Sequence, residues 1–365
     1  MTWLRVLLVL AAVGLFGVKL AVASNFAVGS CKPSLPSYST ISAAVAAVPP
    51  GSTIQVCPGT YAEQVAITQP LTLKGISSGN TSAVVITAPG GGLTSQFDDY
   101  GYDLAPLVSV NNTAGPVNIS YVTVDGAGAT SSDSAASAIG IFYGDASGTV
   151  SQVTVRNIGL GTYASGVWAS ATAAESVTVQ SSNFHDIYNS SVVTLDPSSS
   201  SVTLKGNTMA ANGYNLQLFG ATVNVSGNLV RGTGCCYGVN ISVPGTISGN
   251  TITNNVFGLY GSGPTITKNE ISKSLFGIVL TGDAIVKTNT ISQSSVGIAF
   301  NCFSPTAVAF NIVNEADTGF DSVPSSFSIG SNKFNDATRI RTGDCSGAKG
   351  AKLLPAGKVM PVPAR

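Results

Sequence analysis

An asparagine returns about every 21 residues through the second half of the chain, and this restricts the fold more than any other feature of the sequence. It stands at Asn207, Asn228, Asn250, Asn269, Asn289, Asn311 and Asn332, at successive spacings of 21, 22, 19, 20, 22 and 21 residues. A second phrase, glycine followed by an apolar residue, keeps the same time at Gly238-Val239, Gly258-Leu259, Gly277-Ile278, Gly297-Ile298 and Gly319-Phe320. Two markers in phase are the signature of a repeat array. Between them lie short segments of alternating side-chain character, such as Val223-Asn224-Val225 and Ile298-Ala299-Phe300, which have the period of a strand.

A unit of about 21 residues holds three short strands and cannot bury a core by itself. Units stacked at the ~4.8 Å interstrand distance form three long parallel sheets around a packed interior. The expected fold is therefore an all-β, single-stranded parallel β-helix, a three-sheet solenoid whose apolar residues stack inside it. The repeated Asn belongs at an inward bend, where its amide pairs bend backbone and the next copy of itself, so it is structural and not catalytic. Toward the N-terminus the phrase weakens. Ser182 takes the ladder place, and longer coils carry insertions such as residues 88–103. Residues 39–48, with Ile41, Ala44, Val45 and Val48 at helical spacing before Pro49-Pro50-Gly51, form an amphipathic helix that caps the first coil.

Composition narrows the partners. The 365 residues are 44% hydrophobic and only 9% charged, and 17 Lys and Arg balance 17 Asp and Glu, so no basic field addresses nucleic acid. Residues 1–23 combine Arg5, an apolar run and Ala21-Val22-Ala23, the pattern of an export signal whose removal leaves Ser24 first. An uncleaved anchor is the alternative, although the run is short of the ~20 residues that span a bilayer. The domain plan is a signal at 1–23, one elongated β-helix at 24–346 with its regular repeats at 182–335, and a disordered tail at 347–365. Export makes the six cysteines readable as disulfides. Of 15 connectivities the most economical pairs Cys31 with Cys57 and Cys302 with Cys345 at the two ends, and Cys235 with its neighbour Cys236. Cys235 and Cys236 as free thiols, or bonded elsewhere, remain the alternative. No Cys-x-x-Cys spacing or histidine cluster points to a metal, His185 is the single histidine, and no cofactor is expected.

Residues 39–75, STISAAVAAVPPGSTIQVCPGTYAEQVAITQPLTLKG, resemble the opening of the pectin-lyase-like superfamily: a helix, the GSTIQV strand, PGTY, and the following LTLKG. The resemblance covers nearly all of the chain after residue 23 and implies a right-handed coil. It implies little about activity, because that fold hosts lyases, hydrolases, esterases, epimerases and non-catalytic adhesins. The signatures of pectin methylesterases and polygalacturonases do not occur, and His185-Asp186 lacks the Asp-Pro that precedes this pair in alginate epimerases.

If the strand after each Gly-apolar phrase lines a groove, alternation places Phe142, Trp168, Thr194, Gln217, Asn240, Tyr260, Val279 and Ala299 on its outer face. Aromatic faces stack on sugar rings and amides match hydroxyls, so Phe142, Trp168, Gln217, Asn240 and Tyr260 are the expected ligand contacts. The bland alternative is the scattered exposed surface of an ordinary solenoid. Glycosidic chemistry needs two carboxyl groups about 5–5.5 or 6.5–9.5 Å apart, and the acids near this row are Asp98, Asp99, Asp103, Asp145, Asp186 and Asp196. His185 is expected at a coil bend away from the groove, and Lys205, Lys268 and Lys287 on another face. The expectation is a monomeric secreted, periplasmic or cell-surface protein that binds polysaccharide or cell-surface glycan, with no nucleic-acid partner and no membrane span once the signal is removed. The alternatives are a polysaccharide lyase or glycoside hydrolase with acids from the N-terminal loops, and a structural envelope or adhesin module.

Overall fold

The structure, a computed structural model, describes residues 24–76, 83–99, 101–195, 200–210, 213–325, 327–343 and 345. The expected signal, the tail and Asp196 lie outside the described residues. From Thr53–Val56 onward each full coil supplies one strand to each of three parallel sheets, called here I, II and III in the order the chain meets them after each turn. In sheet I an inward column runs from Ile54 through Leu73, Ile119, Val150, Val179, Leu204, Val225, Ile247, Ile266 and Val286 to Val308 without a break in register. In sheet II the column runs from Ile86 to Phe334, and in sheet III from Val108 to Phe320. These columns form one continuous hydrophobic core, as alternation along short stacked strands dictates. Among the described strands one pairing is antiparallel, that of Phe97–Asp99 with Tyr102–Asn111.

The asparagines occupy the bend between sheets I and II and are buried from Asn207 to Asn311. Each amide works in two directions. Asn269 Nδ2 donates to Ile247 O and to Asn289 Oδ1, both at 2.9 Å, while its Oδ1 accepts from Asn250 N and Asn250 Nδ2 at 3.0 and 2.9 Å. The same pattern links Asn207, Asn228, Asn250, Asn289, Asn311 and Asn332, and Ser182 N opens the ladder by donating to Asn207 Oδ1. The expected ladder is thus a polar column inside the core in which bend N–H groups are paired. The glycine marker has a different origin, at the bend between sheets II and III. A Cβ on Gly277 would lie 2.5 Å from Ile291 Cγ2 and 2.6 Å from Gly297 O, so glycine is required because successive coils meet backbone to backbone.

The cap helix spans Ile41–Ala47, with Thr40 Oγ1 accepting from Ala43 N. Both of its ends are tied to the next coil. Glu63 accepts from Ile41 N and Ser42 N, and Gln69 Nε2 donates to Val45 O and Val48 O, which satisfies groups that a short helix leaves open. Disulfides join Cys31 to Cys57, Cys235 to Cys236 and Cys302 to Cys345, the economical pairing expected from position. No helix among the described residues is long and apolar enough to cross a membrane.

Candidate functional site

The outer row of sheet III runs in register through Ser109, Phe142, Trp168, Val193, Gln217, Asn240, Tyr260, Val279 and Ala299. One residue departs from expectation. Thr194 stands in register with Ala169 and Leu218, is fully buried and bonds Phe219 backbone, so Val193 takes the outward place. Strict alternation falls one residue out in Ser190–Leu195, a strand whose every position but the last is buried.

Exposure corrects the row more strongly. Phe142 and Trp168 retain only 3% and 2% of their surface, because the antiparallel pair of Phe97–Asp99 with the start of Tyr102–Asn111 lies across them. Phe97 stacks on Phe142 with centroids 4.5 Å apart, and Tyr102 meets Trp168 edge-on at 6.1 Å. Leu104, Ile139, Phe142, Trp168 and Val193 form a second small core outside the barrel. The segment leading into the hairpin is tied down by Gln64, whose amide bonds Thr94 N, Thr94 O and Pro106 O, and by Gln96 Oε1, which accepts from Ser109 Oγ. At the other end, Val279 and Ala299 are each 2% exposed. The open part of the row is therefore Gln217, Asn240 and Tyr260, all half-buried.

At the foot of the hairpin is a cleft of about 110 Å³ lined by Tyr102, Tyr163, Ser165, Trp168, Asn189, Val193, Leu195, Gln217 and Phe219. It is smaller than the ~300–1,000 Å³ cavities that enclose whole ligands, so it suits one ring of something that continues over the open face. Tyr102 and Tyr163 pack with centroids 4.1 Å apart. Partial burial, followed by the hydrogen bond and charge of Tyr102, holds the Tyr163 phenol above its ordinary value. Gln217 Nε2 donates to Asn189 Oδ1 at 3.0 Å and to Ser190 Oγ, while Asn189 Nδ2 donates to Thr162 O at 2.9 Å. The amides are thus oriented before any ligand arrives.

The acids are spread over structural tasks. Asp99 accepts from Trp168 Nε1 at 2.7 Å and Ser170 Oγ at 2.8 Å, which fastens the hairpin to the row. Asp98 accepts from Gly101 N in the hairpin turn and stands opposite Asp103 across the strands. Asp145 accepts from Thr172 N and Oγ1 in the neighbouring coil. Among the described residues no carboxylate lines the cleft, and Asp98 and Asp103 face each other across the hairpin strands.

Two features escaped the sequence. The first is a half-buried aromatic stack beside the open row: Tyr214 on Tyr237, Tyr237 on Phe257 and Phe257 on Phe276, at 5.7, 4.9 and 5.3 Å. Tyr260 packs edge-on against Tyr237 and Phe257. Burial first, then the neighbouring Tyr260 and Tyr214, raises the Tyr237 phenol above its ordinary value. The stack was legible as the residue before each Gly-apolar pair, Tyr237, Phe257 and Phe276. The second feature is on sheet II, where Asp125, Arg156 and His185 stand in one register column. Arg156 Nε meets Asp125 Oδ2 at 2.8 Å and His185 Nδ1 meets Asp186 Oδ2 at 2.7 Å. His185 is therefore in a strand, Asn183–Ile187, and not at a bend, although it does lie off the groove sheet as expected. Lys205 and Lys287 end strands of sheet I, again away from the row.

Three parallel sheets wound from single coils, an internal asparagine ladder and a helix over the first coil define the right-handed parallel β-helix fold. Solved structures share it. The A-module of a mannuronan C-5 epimerase from Azotobacter vinelandii is similar over 80% of this chain and 90% of its own, at 13% identity and a TM-score of 0.57. A GH136 lacto-N-biosidase from Eubacterium ramulus is similar over 88% of this chain and 67% of its own, at 9% identity and a TM-score of 0.50. At these identities the likeness is one of fold. No family model matches the chain, and neither does any curated protein to a significant degree.

Proposed function

We propose that the protein binds a neutral glycan on the outer face of sheet III, outside the cytosol. Gln217, Asn240 and Tyr260 are the contact residues, and the cleft beside Tyr102 and Tyr163 takes one sugar ring. The observation that carries the reading is the lining of that cleft. Its nine side chains combine four aromatic rings, two amides and a hydroxyl, and none carries a charge. Such a surface pairs hydroxyls and covers the apolar face of a sugar without offering a counter-ion to an acidic polymer. The Azotobacter epimerase and the Eubacterium biosidase are, by their names, proteins that act on glycans, which agrees with a glycan ligand; that the glycan is neutral rests on the cleft lining alone. Three disulfides support an oxidising location. Binding without turnover is favoured over hydrolysis or elimination, because no carboxylate lines the cleft.

The test is a panel of neutral polysaccharides with alginate as the acidic control, read for binding and for new reducing or unsaturated ends. On the polymer that binds, Tyr260→Ala should weaken affinity roughly thirtyfold, as for an aromatic anchor, while Lys287→Ala stays within about twofold. A larger loss from the lysine, or a preference for alginate, would overturn the assignment. New chain ends would replace binding by catalysis.

A further inference from the structure

We infer that the Cys235–Cys236 disulfide is a thiol-sensitive positioning element for the aromatic face of sheet III, so that reducing it weakens glycan binding; the binding half of this inference rests on the function proposed above. The bridge joins neighbours in sequence, whereas the other two close separations of 26 and 43 residues. A crosslink stabilises a fold mainly by restricting the unfolded chain, in proportion to the logarithm of the loop it closes. Between adjacent residues that contribution nearly vanishes. What this bridge can do is hold local backbone geometry.

The place it holds is specific. Between sheets II and III, the coil containing the bridge spends five residues, 232–236, from the strand Leu229–Arg231 to the strand Tyr237–Ser248. The next two coils spend three, 254–256 and 273–275. The cysteines end this two-residue excess and return the chain to register. Cys236 has φ +59°, a left-handed conformation that is uncommon for a residue with a side chain, and it follows Gly234 at φ +87°. In that conformation the Cys236 carbonyl accepts from both Val256 N at 3.1 Å and Phe257 N at 3.0 Å. These are the amides that start the next coil's strand.

The residue after Cys236 is Tyr237, the centre of the aromatic stack, with Tyr214 on one side, Phe257 on the other and Tyr260 edge-on. Three residues further on is Asn240, in the open row between Gln217 and Tyr260. The two cysteines are half-buried, within reach of a small thiol. In the exchange, the thiolate of a low-molecular-weight thiol attacks one sulfur and forms a mixed disulfide, and the other cysteine leaves as a thiolate. A second thiol then releases the first cysteine. Two thiols are oxidised to one disulfide, two electrons pass to the protein, and it gains two Cys–SH groups. Freed from the ring, the Cys236 backbone loses one restraint, and its grip on Val256 and Phe257, with the placement of Tyr237, loosens.

The experiment compares the full chain with C235S/C236S, and with C302S/C345S as a control for loss of a bridge that closes a long loop. Deuterium exchange at the Val256 and Phe257 amides, near-ultraviolet circular dichroism of the tyrosine stack, thermal unfolding and affinity for the panel polysaccharide are measured for each. In C235S/C236S the two amides should exchange faster and the tyrosine signal should weaken. Affinity should fall about tenfold, short of the full loss of an anchor, while the unfolding midpoint moves less than in C302S/C345S. Thiol treatment that opens only the 235–236 bridge, verified by peptide mapping, should reproduce these changes in the parent. Parental exchange, tyrosine signal and affinity in C235S/C236S would overturn the inference. If the parent binds no panel glycan, the proposed function fails, while the exchange and dichroism arms still decide the positioning role.

Discussion

Replacing Asn269 by alanine removes one rung from the middle of the ladder and leaves a definite set of groups without partners. Asn250 N loses its acceptor outright, because Asn269 Oδ1 is the oxygen it donates to. Asn250 Nδ2 keeps Val225 O but loses its second acceptor, and Ile247 O and Asn289 Oδ1 each lose a donor. A buried N–H with no partner costs about 1–3 kcal/mol, and the half-satisfied groups add to it, for a total of about 3 kcal/mol. In a chain of this size that lowers the thermal midpoint by about 5 °C. Asn269→Ser should cost about half as much, since the hydroxyl keeps an acceptor. Ser182 already works this way, accepting from Val153 N at 3.2 Å at the start of the ladder. The assay is thermal unfolding by far-ultraviolet circular dichroism, with deuterium exchange at the Asn250 amide as the local readout. An unchanged midpoint together with a still-protected Asn250 amide would refute the reasoning.

Trp168→Ala should behave as a core mutation, losing about 3–5 kcal/mol in denaturant unfolding and exposing the strand Phe97–Asp99 to proteolysis, because the ring is buried and Asp99 loses its indole donor. Unchanged stability would mean that the hairpin does not depend on it. For Asp125, burial raises the pKa, but hydrogen bonds from Asn157, Ala127 N and Arg156, with the Arg156 charge, outweigh it and leave the carboxyl below its ordinary value. A depressed folded pKa gives stability that is present above the unfolded value of about 3.9 and is lost as pH falls through the folded one. The midpoint gap between the parent and Asp125→Asn should therefore narrow as pH is lowered from about 5 to about 2; a gap independent of pH would contradict this.

Much of the scaffold could be read from the chain because its determinants are local and repeated. Asn207 to Asn332 and the Gly-apolar pairs from Gly238 to Gly319 mark two bends of the coils in the second half of the chain, and a period near 21 has the length of three short strands. The disulfides were legible for a related reason, since four cysteines lie near the ends of a linear array and the other two adjoin. The face was harder to read. Phe142 and Trp168 were rightly placed on the outer row of sheet III, but their burial depends on a hairpin some forty to seventy residues earlier, a contact that no periodicity encodes. Thr194 was misplaced because Ser190–Leu195 is covered on both faces, so alternation of exposure gives no signal there. The Tyr214–Tyr237–Phe257–Phe276 stack went unread because strict alternation was extended through the glycine bend. Tyr237 and Asn240 are both half-exposed with two buried residues between them, which is a bend and not a period of two.

The central claim is that an uncharged face of sheet III holds a neutral glycan. It is tested most directly by titrating the protein with the panel polysaccharide that binds it, at ionic strengths from about 10 mM to about 1 M, over which the screening length falls from ~30 Å to ~3 Å. The account predicts the same affinity at both ends of that range, with the Tyr260→Ala loss present throughout. An affinity that falls steeply with salt, and a Tyr260→Ala variant that binds as well as the parent, would contradict it.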